Sequence, residues 1–312
     1  MSEQKTTSRR ICVVGSANID LTFRTPRLPQ PGETISGHSL HQCMGGKGAN
    51  QAVAAARLGA QVAFVARVGN DAFGLQAIQG YRADGIDTSF VQRDANLPTG
   101  TAAILVDDNA ENCIIIVAGA NGALTADDSN AATSMIQQAD LVLCQLETPI
   151  GATFEAFRIA RAAGVITVLT PAPVASVTDE LLELCDVCVP NTTEIAALVN
   201  RSVRSRDDAQ LAANLLRQRG VQQVVLTMGS EGALVVDDSG ATFIPPYKVK
   251  AIDTTGAGDA FTAALAVSLA EGLDIREAAR RAGLVAAISV TRIGTQTSFP
   301  TLNEVNNTLR GF

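Results

Sequence analysis

Asp253-Thr254-Thr255-Gly256-Ala257-Gly258-Asp259 places two carboxylates around two glycines, immediately before an alanine-rich run. Gly256 and Gly258 leave the backbone free to bring N–H groups close to a bound anion. The run from about Ala260 to Ala270 reads as a helix, and its positive end faces the same place. Asp259 then lies beside an anion cradle, where a carboxylate serves as a proton acceptor. The chemistry that fits is phosphoryl transfer: the amides of Gly256, Ala257 and Gly258 hold the moving charge while Asp259 takes the acceptor's proton. Taken alone, the stretch also reads as a glycine-rich turn capped by Asp.

A second cluster, Gly45-Gly46-Lys47-Gly48-Ala49-Asn50, opens another helix. It is no Walker A loop, because neither Ser nor Thr follows Lys47 to hold magnesium. It is no dinucleotide fingerprint either, since Gln51 stands where the third glycine belongs. What remains is a turn offering Lys47 and Asn50 to a polar ligand, or a helix start that is polar incidentally.

The elements that must position these residues alternate between β-rich and alanine-rich runs, the pattern of an α/β fold around a mostly parallel sheet. Strands are expected at Ile11–Gly15, Gln61–Val68, Leu141–Gln145, Ile166–Leu169, Val187–Val189 and Gln223–Thr227. One helix is expected over Gln51–Leu58, stopped by Gly59. Another starts at Ser205, carries Asp207 and Asp208 in its first turn, shows Leu211, Leu215 and Leu216 on its apolar face, and ends at Gly220. Gly232–Val236 and Ala241–Ile244 flank a hairpin turn at Asp238-Ser239-Gly240. Thr22–Cys43 and Thr99–Val117 break the rhythm and read as antiparallel excursions: lid pieces or surface hairpins. With no repeat or linker, the expectation is one α/β domain over 1–312, with a discontinuous β lid from about 21–44 and 99–118.

Composition narrows the function. A net charge of −7 argues against nucleic acid or an anionic membrane as partner, so an anionic ligand must be met by locally placed N–H groups. Met1–Arg10 is polar, and no apolar run nears the ~20 residues of a membrane helix. A soluble, cytoplasmic protein is expected. The only histidines, His38 and His41, lack the companions of a zinc site, and no Gly-x-Ser-x-Gly marks a serine hydrolase. Cys12, Cys43, Cys113, Cys144, Cys185 and Cys188 are expected as free thiols. Cys185 and Cys188 have redox-motif spacing, but in a strand they face opposite sides.

Gly45–Asn50 with Gln51-Ala52, together with Asp253–Asp259, resembles the two signature regions of the ribokinase-like (PfkB) carbohydrate kinases. The likeness runs from Val14-Gly15-Ser16-Ala17-Asn18-Ile19-Asp20 to Val290-Thr291-Arg292-Ile293-Gly294-Thr295-Gln296, essentially the whole chain. Gly45–Ala52, Gly119-Ala120-Asn121-Gly122-Ala123-Leu124-Thr125 and Val290–Gln296 favour the ribose-specific branch. The resemblance implies a three-layer fold with a mostly parallel central sheet and a small β lid, and ATP-dependent phosphorylation of D-ribose with Mg2+ and K+.

By that resemblance Asn18, Asp20, Gly46, Lys47, Asn50 and Glu147 bind the sugar and Asp259 is the base. Asn191 and Glu194 serve magnesium and phosphate through water, and Thr227, Gly229, Ser230 and Gly232 meet the nucleotide. The Asp253 carboxylate, the carbonyls of Thr255, Ser289, Arg292 and Gly294, and the Ser298 hydroxyl form a potassium cage. A homodimer through the lid is implied as well. Ala110 stands where a lid glycine is frequent, and Ser289 where an alanine is. Rival readings are a relative acting on a nucleoside, deoxyribose or another sugar, and a silent sugar- or nucleotide-binding regulator. With two Tyr and ten Phe, stacking for a nucleoside base is thinly provided.

Overall fold

The computed structural model describes residues 9–109, 111–174 and 177–309, so the Ala110 departure lies outside it. In chain order the strands are β1 (Arg10–Val14), β2 (Asn18–Arg24), β3 (Ser39–Gly45), β4 (Gln61–Gly69), β5 (Asp87–Asp94), β6 (Gly100–Val106) and β7 (Asn112–Val117). They continue with β8 (Leu141–Gln145), β9 (Ile166–Thr170), β10 (Val187–Cys188), β11 (Gln223–Thr227), β12 (Ala233–Asp237) and β13 (Gly240–Ile244). One sheet has the order β13-β12-β11-β10-β9-β8-β1-β4-β5. Neighbours from β11 across to β5 are parallel, and the β12 and β13 edge is antiparallel.

β1 shows why helices cover both faces. Ile11 and Val13 enter an apolar layer shared with helices Lys47–Arg57, Ala257–Ala270 and Ile275–Ser289. Cys12 and Val14 enter the opposite layer, with helices Ile150–Ala162 and Arg206–Gln218. A strand buried on both faces needs no polar alternation, and Ile11–Val14 has none. The α/β three-layer expectation holds.

Local chemistry shifted several boundaries. The helix expected at Gln51 begins at Lys47, because Gly46 at φ 87° turns the chain straight into it. Likewise Gly256, at φ 76°, lets the later helix start at Ala257 rather than Ala260. Ser205 caps its helix as expected, its side chain accepting from the Asp208 N–H at 3.1 Å. The buried stripe there is Ala209, Ala212, Ala213 and Leu216, while Leu211 is 40% exposed. At about 100° per residue, Leu211 falls off that stripe. Cys185 precedes β10, so the alternation argument does not reach it; Cys185 and Cys188 pack in the same layer, both as free thiols.

The irregular segments form one separate sheet in the order β3-β2-β6-β7. It is not wholly antiparallel: β2 pairs parallel with β6, since these strands come from distant parts of the chain. Ile114, Ile115, Ile116 and Val117 of β7 are each more than half exposed. Among the described residues, no helix is long and apolar enough to cross a membrane.

Candidate active site

The expected residues gather at the carboxyl ends of the parallel strands, where open α/β sheets form crevices. Gly15 and Ser16 follow β1, Gln145 and Glu147 sit at the end of β8, Thr170 closes β9, Asn191 follows β10 and Thr227 closes β11. The glycine turn is seated tightly among them. A Cβ on Gly46 would stand 2.8 Å from the Asn18 nitrogen, and one on Gly48 would stand 2.5 Å from the Ser16 nitrogen. Glu147 ties this turn down: its Oε2 accepts from the Lys47 backbone N–H at 2.9 Å and the Ser16 hydroxyl at 2.5 Å. Its other oxygen accepts no hydrogen bond among the described residues.

Asn18 and Asp20 lie on β2, beside the turn. The Asn18 Oδ1 accepts from Asn121 Nδ2 at 2.7 Å, and the same Asn121 bonds both backbone groups of Ala17. Burial pushes the Asp20 carboxyl up to about 6, helped by the negative charges of Glu147 and Asp259. Four carboxylates and one lysine thus share a field. Lys47 holds its proton more tightly than usual, because Asp259, Glu147 and Glu194 together outweigh the burial that opposes its charge.

Asp259 is 7% exposed, in the first turn of helix Ala257–Ala270. Its Oδ2 accepts from Asn50 Nδ2 at 2.9 Å and its Oδ1 from Gln51 Nε2 at 3.0 Å. Burial raises its pKa above the ordinary carboxylate range, against the opposing pull of Lys47, Asn50 and Gln51. A buried carboxylate with raised proton affinity at a helix N-terminus has the attributes of a general base.

The loop before it has two different glycines. A Cβ on Gly256 would stand 2.5 Å from Thr295 Cγ2, so the fold itself requires glycine there. A Cβ on Gly258 would meet no protein atom within 4 Å. That open space lies at the helix N-terminus, the place for an anion. Asp253 braces the loop from behind: its Oδ1 accepts from the Thr255 N–H at 2.9 Å and hydroxyl at 2.7 Å, its Oδ2 from the Gly294 N–H at 2.9 Å.

The residues expected to hold a monovalent cation fit an all-oxygen site in part. Asp253, Thr255 and Gly294 are joined by those bonds, and among the described residues the carbonyls of Thr255, Arg292 and Gly294 accept no hydrogen bond. The Ser289 carbonyl accepts from the Arg292 N–H at 3.1 Å, and the buried Ser298 hydroxyl donates to the Thr295 carbonyl at 2.7 Å. For a divalent ion, no three His, Cys, Asp or Glu side chains converge among the described residues. Magnesium therefore fits only as an ion carried largely by phosphate and water.

Asn191 and Glu194 form a capping box: the Asn191 Oδ1 accepts from the Glu194 N–H at 2.8 Å, and the Glu194 Oε2 from the Asn191 N–H at 2.8 Å. Burial raises the Glu194 pKa. Thr227 bridges to Asn191, joining the two segments. Gly229, at φ 57°, and Ser230 start the short turn after β11, with open space at Gly229. Gly232 is demanded by packing, since a Cβ would stand 2.2 Å from the Ile244 carbonyl oxygen.

The model of the pfkB family carbohydrate kinases matches residues 8–302. This chain belongs to that family. It is therefore a phosphotransferase acting on an alcohol group, with ATP as donor. Mus musculus ribokinase is 42% identical over 95% of this chain and 94% of its own length. A Salmonella typhi deoxyribokinase is 36% identical over 96% of this chain and 98% of its own. The structure of Arabidopsis thaliana ribokinase complexed with ribose and ATP matches with a TM-score of 0.93 at 32% identity, covering 97% of this chain and 99% of that one.

The family resemblance did not single out Ser16, Gln51, Asn121, Gln145 or Gln296 as site residues. All five are buried polar groups: Ser16, Gln51, Asn121 and Gln296 bond directly to expected residues, and Gln145 bonds to Gln51. The available signal was a polar side chain inside an apolar run, as at Gln51 before Ala52-Val53-Ala54-Ala55.

Proposed function

We propose that this chain transfers the γ-phosphoryl group of ATP to the 5-hydroxyl of D-ribose, giving ribose 5-phosphate and ADP. The observation that carries the reading is the buried Asp259 carboxylate at a helix N-terminus, sharing a field with Asp20, Lys47 and Glu147 and a hydrogen bond with Asn50. Vicinal hydroxyls need several directional acceptors and donors, and Asn18, Asp20, Gly46, Lys47, Asn50 and Glu147 supply them. Similarity to ribokinases supports ribose as the acceptor.

Asp259 removes the proton of the primary hydroxyl, which attacks the γ-phosphorus in line as the bond to the ADP oxygen breaks. The amides of Gly256, Ala257 and Gly258 meet the transferred charge. Thr227, Gly229, Ser230 and Gly232 hold the nucleotide. Asn191 and Glu194 would hold Mg2+ through water, and the ion would supply neutralisation of the phosphate charge. K+ suits Asp253, Thr255, Ser289, Arg292, Gly294 and Ser298, whose work is to keep the 256–258 amides in place. The four-stranded sheet acts as a lid that excludes water. The exposed apolar β7 suits pairing with a second copy.

A second reading, deoxyribose as acceptor, has the similarity to deoxyribokinase behind it. ADP release with D-ribose, 2-deoxyribose, fructose and a nucleoside panel, in potassium and in sodium buffer, decides between them. Ribose-dependent turnover that is stronger in potassium is expected. Turnover on 2-deoxyribose alone moves the acceptor, and no turnover on any acceptor leaves only a binding protein.

A further inference from the structure

Behind Asp259 runs a chain of buried amides. Gln51 and Gln145 are both 0% exposed. Gln51 Nε2 donates to Asp259 Oδ1 at 3.0 Å and to Thr170 Oγ1 at 3.2 Å. Its Oε1 accepts from Gln145 Nε2 at 2.6 Å. The chain ends at Gln145 Oε1, which is buried without a partner, at a place where a Cβ on Gly15 would come within 2.0 Å.

The polarity of this chain follows from its first member. An ionised carboxylate only accepts, so the nitrogen end of the Gln51 amide must face Asp259. Its oxygen end then faces inward and needs a donor, which Gln145 provides. Gln145 in turn has its own oxygen left over. A buried acceptor with no partner is unfavourable, and here it is what a one-directional chain leaves at its end.

We propose that Gln51, with its inward-facing amide oxygen held by Gln145, is a positioning residue that holds Oδ1 of Asp259 from the interior and leaves Oδ2 toward the acceptor. The carboxylate torsion is otherwise broad and roughly two-fold, so Asp259 without this grip has more than one orientation. Asn50 cannot supply the grip alone, because it bonds Oδ2 on the side where the sugar is proposed to bind. The inference rests on the reading of Asp259 as the base. The charged groups around Asp259 are Lys47 on the same helix as Gln51, Asp20 on β2, Glu147 after β8 and Glu194 on helix Thr192–Leu198. Replacing Gln51 or Gln145 leaves all four in place.

The test compares Gln51→Met, Gln51→Glu, Gln145→Met and Asp259→Asn, with kcat and KM for ribose followed across about pH 5 to 9. Gln51→Met should lower kcat about 10- to 100-fold while ribose KM changes by less than about threefold. The acid limb of kcat should move to higher pH, because a donor to the ionised form has been removed. Gln145→Met should move both readouts the same way by less. Gln51→Glu keeps the size of the side chain and places an acceptor against Asp259; it should match or exceed Gln51→Met, and it carries the test if the methionine variant does not fold. Wild-type kcat and acid limb in the Gln51 variants, beside an inactive Asp259→Asn, overturn the positioning role. Sustained turnover by Asp259→Asn overturns the base itself.

Discussion

Asp253 and Asp259 flank one glycine loop, yet their surroundings drive them in opposite directions. Both are disfavoured as anions by burial. At Asp253 the Thr255 hydroxyl and the backbone N–H groups of Gly294 and Thr255 win, and its pKa falls. At Asp259 burial wins over Lys47, Asn50 and Gln51, and its pKa rises. A carboxylate bound by three close donors is a fixed anion, suited to bracing a loop or facing a cation. One kept short of donors retains proton affinity, which is what a base requires.

The largest expected effect separates the two directly. Asp259→Asn should lower kcat about 10²- to 10⁴-fold while calorimetry still detects ribose binding. Asp253→Asn should retain far more turnover. Equal losses in both variants would erase the contrast between base and brace.

The paired glycines sharpen it further. Gly256→Ala forces a side chain at φ 76° against Thr295, so the protein should lose about 1–3 kcal/mol of stability along with activity. Gly258→Ala meets open space, and should keep its melting temperature while kcat/KM for ATP falls. Loss of stability at Gly258 would mean that its space belongs to the fold rather than to the phosphates.

Asp20 provides a pH test with a definite sign. Its folded pKa is raised to about 6, so the stability it contributes is present below its unfolded value near 4 and is lost as pH rises through 6. Asp20→Asn should therefore be more stable than wild type at pH 8, by up to about 3 kcal/mol, with the gap closing toward pH 4. The wild-type ribose KM should rise below pH 6, and that limb should vanish in the variant. Asp253 runs the other way. Its lowered pKa gives stability above the unfolded value near 4 that is lost as pH falls through the folded pKa. Solvent limits the gain to about 1 kcal/mol, so Asp253→Asn should cost that much at neutral pH and nothing in strong acid.

Much of this was legible in the chain. The strand ends and the two glycine turns that bring the expected residues together were readable, because turn glycines and β-rich runs are local signals. Leu211 misled because its residue type was read without its helical angle, which puts it off the stripe of Ala209, Ala212, Ala213 and Leu216. The parallel β2–β6 pairing joins segments far apart in sequence, and no local pattern reports register at that distance. Gln51 and Gln145 escaped notice for the same reason. Their function lies in a bond between residues from separate elements, and each alone is simply a glutamine in an apolar run.

Phosphorus NMR of the product formed from ATP and D-ribose reads the transfer and its position together. One equivalent of ADP is expected for each sugar phosphate, with the phosphoryl group on the 5-oxygen. ADP without a sugar phosphate, or phosphate at another hydroxyl, would contradict it.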